Sequence, residues 1–125
     1  MSLDAIGVIS GNLEKSVKFY GLLGVKLKAA GGAEHLEGRT GSGLRLMVDS
    51  VKLIKSFNKK YKKPKGSGVV LCFKLASAKA VDALYGKIVS AGFKSVHAPW
   101  DAFWGQRYAC VADPDGNQID LFAQL

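Results

Sequence analysis

The stretch Asp113-Pro114-Asp115-Gly116-Asn117-Gln118-Ile119-Asp120-Leu121-Phe122-Ala123-Gln124-Leu125 decides how the chain is read. Asp113-Pro114-Asp115-Gly116 has the chemistry of a tight turn. Pro114 presets φ at the first central position, Asp113 can accept from nearby backbone N–H groups, and Gly116 tolerates positive φ. Tyr108–Ala112 before it is apolar, and Ile119, Leu121 and Ala123 alternate with Asp120 and Phe122 after it. That pattern predicts a β-hairpin ending the sequence. Asp120 then stands as a carboxylate in a mostly apolar strand, either on the solvent side of the alternation or pointing into a cavity.

Upstream, Ala5–Ser10 reads as a strand. Asn12 suits a helix N-cap, with Glu14 in the first turn where the helix dipole favours it. Leu13, Val17, Tyr20 and Leu23 form a helical stripe ending at Gly24. Strands are predicted around Val25–Ala30, Glu34–Arg39 and Gly43–Val48. Ser50 suits the cap of a connector helix carrying the stripe Val51, Ile54, Phe57 and Tyr61, stopped by Pro64 and Gly66. The pattern then restarts. Gly68–Leu75 reads as a strand, Ser77 as an N-cap, and Val81, Leu84, Tyr85, Ile88 and Val89 as a helix face ending at Gly92. Phe93–His97 reads as a strand, Pro99-Trp100-Asp101 as a turn, and Phe103–Ala112 as the strand that enters the final hairpin.

The restart is a repeat. Tyr20-Gly21 matches Tyr85-Gly86 at an offset of 65, Leu23-Gly24-Val25-Lys26 matches Ala91-Gly92-Phe93-Lys94 at 68, and Leu44-Arg45-Leu46-Met47 matches Ile119-Asp120-Leu121-Phe122 at 75. Offsets that grow in one direction fit a duplicated module with small turn insertions. The expected architecture is α+β, one domain over 1–125 made of two paired βαβββ modules. Module 1 spans about 1–49, a connector about 50–66, and module 2 about 67–125. The modules are expected to form a cupped mixed sheet.

Composition narrows the function classes. The 125 residues suit one domain, and 48% apolar content excludes a disordered chain. No apolar run approaches the roughly 20 residues of a membrane-spanning helix. No signal peptide is visible, so a cytoplasmic location is the default expectation. Cys72 and Cys110 each sit in an apolar run and are expected to be reduced core thiols. The formal charge is +8, and seven lysines crowd Lys52–Lys65. A bare charge run without a nucleic-acid-binding signature, and with only three arginines, reads first as a solvated connector. Nucleic acid or an anionic surface is kept as a lesser alternative.

The segment Asn12-Leu-Glu-Lys-Ser-Val-Lys-Phe-Tyr20, the paired modules, Trp104-Gly105 and the Asp-Pro-Asp-Gly-Asn-x-Ile-Asp-Leu ending together resemble the vicinal oxygen chelate superfamily. That is the group of glyoxalase I, bleomycin-resistance proteins and extradiol dioxygenases. The resemblance implies a small-molecule pocket, a homodimer and, in metal-dependent members, His, Glu or Gln ligands from the first and last strands of each module. Mapped onto this chain, those positions read Ala5, Arg45, Val70 and Asp120. Only Asp120 can ligate a hard cation, so no cofactor is expected, with a divalent metal as the lesser possibility. The expected ligand-binding residues are Arg45, Trp100, Phe103, Trp104, Arg107 and Asp120. Arg45 is expected to bind a carboxylate or phosphate, and the tryptophans to stack on a flat ring. The leading expectation is a binder of a small anionic or aromatic molecule without the usual metal. The alternative is a lyase-like or dioxygenase-like enzyme with displaced ligands, Asp120 with His35, His97 or Glu37. Catalytic residues are not identifiable from the sequence.

Overall fold

The computed structural model describes all residues from Met1 to Leu125. They form two compact units, Met1–Lys63 and Pro64–Leu125. In the first, β1 (Ala5–Ser10), α1 (Leu13–Leu22), β2 (Lys28–Ala29), β3 (His35–Arg39) and β4 (Arg45–Ser50) precede α2 (Val51–Phe57). In the second, β5 (Leu71–Lys74), α3 (Ala78–Ser90), β6 (Lys94–Ala102), β7 (Gln106–Ala112) and β8 (Gln118–Gln124) repeat the βαβββ order. The sheets are ordered β1-β4-β3-β2 and β5-β8-β7-β6. Each is mixed, because the first strand of the module runs parallel to the last while the other pairings are antiparallel. The α+β class and the two βαβββ modules match the sequence expectation.

Local chemistry explains the helix ends. The Asn12 side chain accepts from Lys15 N at 3.1 Å, Ser50 from Leu53 N at 3.0 Å, and Ser77 from Ala80 N at 3.1 Å. Each satisfies an N–H that the helix itself leaves unpaired. α1 buries Ser16, Phe19 and Tyr20, and its Ser16 hydroxyl meets that of Ser10 at 2.6 Å. α3 buries Val81 and Ile88 over Ala109, Val111, Ile119, Leu121 and Ala123, all fully enclosed. Each large aliphatic side chain buried this way contributes about 1.5–3 kcal/mol.

Three boundaries differ from expectation for identifiable reasons. The strand expected at Val25–Ala30 shrinks to Lys28–Ala29, although Val25 and Leu27 are buried. There the chain passes so close to β3 that a Cβ on Gly38 would lie 2.6 Å from the Lys26 carbonyl oxygen. Pro99-Trp100-Asp101 is not a turn but lies within β6, so β7 starts at Gln106 rather than Phe103. Proline is tolerated because β6 is an edge strand and its pairing with β7 is irregular between His97 and Trp100. The turn falls instead at Phe103-Trp104-Gly105, where Gly105 takes φ of 88°. The connector helix stops at Phe57, which is 72% exposed, and Tyr61, expected on its stripe, lies beyond it.

Candidate functional site

The turn at Asp113–Gly116 is tightly built. Asp113, 4% exposed, accepts from the backbone N–H of Asp115 and Asn117 and from Asn117 Nδ2, each at 2.9 Å. Gly116 adopts φ of 87°. This fixes the register of β7 on β8 and hence which side chains share a face.

Ile119, Leu121 and Ala123 turn toward α3, so Gln118, Asp120, Phe122 and Gln124 occupy the opposite face. Register places partners beside them in rows. One row across the sheet reads His97, Cys110, Asp120, Cys72, and the next reads Trp100, Tyr108, Phe122, Lys74. Asp120 is 7% exposed, which decides for an enclosed carboxylate over a solvent-facing one. Its Oδ2 accepts from the Tyr108 hydroxyl at 2.6 Å and its Oδ1 from Gln118 Nε2 at 2.9 Å. Both donors are neutral, and its side chain joins no ion pair with Lys, Arg or His. Burial first, and then the bond to Asp120, raise the Tyr108 phenol well above its usual range. Burial first, and then the neighbouring Asp120, push the Cys110 thiol up to about 12.

Around this polar point lies an aromatic wall. Trp100 and Trp104 both meet Tyr108 edge-on, with centroids 5.5 Å and 5.3 Å away, and meet each other at 6.0 Å. Tyr108 lies nearly parallel to Phe122 at 6.0 Å, and His97 lies 3.9 Å from Trp100. The Trp104 indole donates to Gln106 Oε1 at 2.9 Å, and Gln106 donates to Gln124 at 2.7 Å. Trp104 remains 47% exposed, leaving ring surface available.

Within the second unit, two expected site residues stand apart. Arg107 turns to the α3 side of the sheet, where its guanidinium binds Asp82 at 2.9 Å and Asp101 at 3.1 Å. Neighbours in a strand point to opposite faces, so Arg107 cannot join Tyr108. Phe103 is 97% exposed at the turn and touches Trp104 edge-on. Conversely, Tyr108, Phe122, Cys72 and Cys110 were absent from the expected ligand set. The period-two alternation around Asp120 was the available signal for Phe122.

Arg45 belongs to the first unit, on the face of its sheet away from α1. Its guanidinium is held by Asp4 at 2.6 Å and Glu37 at 2.9 Å, which already uses the fork expected to bind an anionic ligand. Glu37 also accepts from His35 Nε2 at 2.7 Å, while His35 Nδ1 bonds Asp49. The chain Asp4, Arg45, Glu37, His35, Asp49 thus alternates in charge when His35 is protonated. The bonds to Glu37 and then Asp49 raise the His35 pKa above its ordinary 6.5. His35, and then Arg45, hold the Glu37 carboxyl below its ordinary 4.5.

Register also revises the mapping of the metal positions. Ala5 pairs with Arg45, but Asp120 pairs with Cys72, not Val70. Val70 lies outside β5. In the first unit the two positions offer a methyl group and an engaged guanidinium. In the second they offer a thiol and a single carboxylate. Neither pair by itself supplies the three protein ligands that a catalytic zinc takes. Of the displaced ligands considered, both His35 nitrogens are engaged by carboxylates, and His97 Nδ1 bonds the Ala98 carbonyl at 2.7 Å. Cys72 is exposed and Cys110 buried, so the expectation of two core thiols holds for one of them, and both are free. No helix is long and apolar enough to cross a membrane.

Among solved structures, the chain is similar to a glyoxalase/bleomycin resistance protein/dioxygenase family enzyme from Burkholderia phytofirmans PsJN. The two share 17% identity with a TM-score of 0.86, covering 100% of both chains. A glyoxalase-related enzyme from Fulvimarina pelagi gives 22% identity and 0.82, covering 98% of this chain and 88% of that one. A hypothetical protein from S. aureus gives 21% and 0.81, covering 95% and 91%. At such identities the likeness speaks to the fold alone. Comparison with curated proteins finds no match. The family model for the Glyoxalase/Bleomycin resistance protein/Dioxygenase superfamily matches residues 2–121, and the chain belongs to that superfamily.

Proposed function

We propose that the protein binds a planar aromatic molecule, without a metal, on the face formed by Trp100, Trp104, Tyr108, Phe122 and Asp120. One observation carries this reading: an enclosed carboxylate with only neutral donors stands beside four aromatic rings on one sheet face. Indole and phenol rings offer large, stiff surface for stacking at small conformational cost. A buried carboxylate without a counter-cation is costly, so a ligand that brings an N–H donor or positive charge to Asp120 gains most. The rings favour the same charge, since their faces attract cations by about 0.5–2 kcal/mol each. An aromatic ligand is therefore favoured over the anionic one, for which Arg45 would have to leave Asp4 and Glu37.

Asp120 keeps the place of a family ligand position while its surroundings have become those of a recognition site. Cys72 supplies no hard donor beside Asp120, and the role proposed for this face is to hold and sequester its ligand. Pairing of two chains into a homodimer is part of the same proposal.

Tryptophan fluorescence, titrated with N-methylquinolinium, quinoline and naphthalene-1-sulfonate in the presence of a chelator, tests it. Quenching is expected to be strongest with the cation and to be lost in Trp104→Ala. Absence of saturable quenching by all three, or quenching that needs added metal, would contradict the proposal.

A further inference from the structure

The positive charge of this protein is concentrated in one stretch of its sequence. Between Ser50 and Val81 there are nine lysines and no carboxylate, while the other 93 residues carry nine cations and ten carboxylates. Six of the nine, Lys52, Lys55, Lys59, Lys60, Lys62 and Lys63, lie in the first unit on α2 and the irregular segment after it, and all are exposed. No lysine forms an ion pair in this structure. A solvated run of this density, with nothing to neutralise it, repels itself and attracts polyanions.

The aromatic residues within the run sharpen the partner. Phe57 closes α2 with 72% of its surface exposed, and Tyr61 follows one turn later, where its N–H bonds the Asn58 carbonyl at 3.1 Å. We infer that Lys52–Lys63 is a binding surface for single-stranded nucleic acid, its lysines meeting phosphates and Phe57 stacking on a base. Lysine is a point charge suited to phosphate without sequence readout, which agrees with the scarcity of arginine. Aromatic rings interleaved with cations along a strand are how sequence-tolerant single-strand binding is built. An anionic membrane fits less well. α2 has seven residues, and its Val51, Leu53 and Ile54 are part-buried, so only Phe57 offers an apolar insert.

The test is fluorescence anisotropy of the full chain with a labelled oligothymidylate over a salt series. Binding should weaken as salt rises, with a log–log slope of about −3 if four phosphates are neutralised. The variant Lys59→Gln/Lys60→Gln/Lys62→Gln/Lys63→Gln should flatten that slope and lose at least about tenfold in affinity at low salt. Phe57→Ala should weaken binding about 5- to 150-fold at an unchanged slope. In the unmodified chain, the oligonucleotide should protect lysines 52–63 from acetylation while Lys15 and Lys87 stay reactive. Absence of binding at low salt, unaltered binding by the lysine variant, or uniform acetylation would overturn the inference. So would binding to phosphatidylserine vesicles without binding to the oligonucleotide, which would assign the surface to lipid.

Discussion

Tyr108 donates its hydroxyl hydrogen to Asp120 Oδ2 across 2.6 Å, joining two adjacent strands on the face away from α3. The bond gives an enclosed carboxylate one of its two neutral donors. Tyr108→Phe removes the donor and leaves the acceptor behind. Chemical denaturation should show a loss of about 1–3 kcal/mol, the cost of an unsatisfied buried polar group. Tyr108→Phe/Asp120→Leu should recover part of it, because both partners are then apolar. A single variant as stable as the parent chain would show that this bond contributes nothing.

The two thiols beside Asp120 should differ in reactivity. Cys72 is exposed, whereas Cys110 is buried with its thiol pushed up to about 12. The thiolate is the reactive species, so at neutral pH iodoacetamide should label Cys72 alone. Mass spectrometry of the peptides checks this, with Cys110 labelled only after denaturation. Equal labelling of both in the folded chain would contradict the burial described.

His35 gives the fold a pH dependence of defined sign. Its raised pKa means its contribution is complete below 6.5 and is lost as pH rises through the higher folded value. Glu37 is lowered, so its contribution is complete above 4.5 and is lost as pH falls through the lower folded value. The pair therefore contributes fully between these limits. Moving from about pH 6 to about pH 9 should lower the denaturation midpoint, and His35→Gln should shrink that drop. An identical pH profile in the variant would show that the bonds of His35 to Glu37 and Asp49 do not set this pH dependence.

Gly38 is required by space, not by φ. A Cβ there would stand 2.6 Å from the Lys26 carbonyl oxygen and 2.9 Å from Val25 Cγ1. Gly38→Ala should cost about 1–3 kcal/mol through forced separation of β3 from the chain before β2. Gly86→Ala, with open space at its Cβ and a helical position, should be neutral or stabilising. Thermal melts of the two variants compare them directly.

Much of the fold was legible because local signals were strong. Asn12 and Ser77 sit at the two matching helix starts, and Asp113–Gly116 forms the turn its chemistry predicts. The site was less legible. Arg107 and Tyr108 are adjacent, so strand alternation alone separates them, yet an irregular β6 carries Trp100 to the Tyr108 side and Asp101 to the Arg107 side. Cys72 could not be matched to Asp120 by sequence offset. The register of a short parallel pair is set by its hydrogen-bond ladder, and β5 has only four residues to signal it. Phe57 reads as the end of an apolar stripe, but the helix ends there and the ring is left outside.

The claim that recognition occurs on the aromatic face without a metal is tested most directly by NMR. Indole N–H resonances of Trp100 and Trp104 would be followed while N-methylquinolinium is added to chelator-treated protein. The account predicts saturable shifts of both resonances that are abolished in Asp120→Asn and unchanged by added Zn²⁺ or Ni²⁺. Shifts that appear only after one equivalent of metal is supplied, or that leave both indoles unmoved, would contradict it.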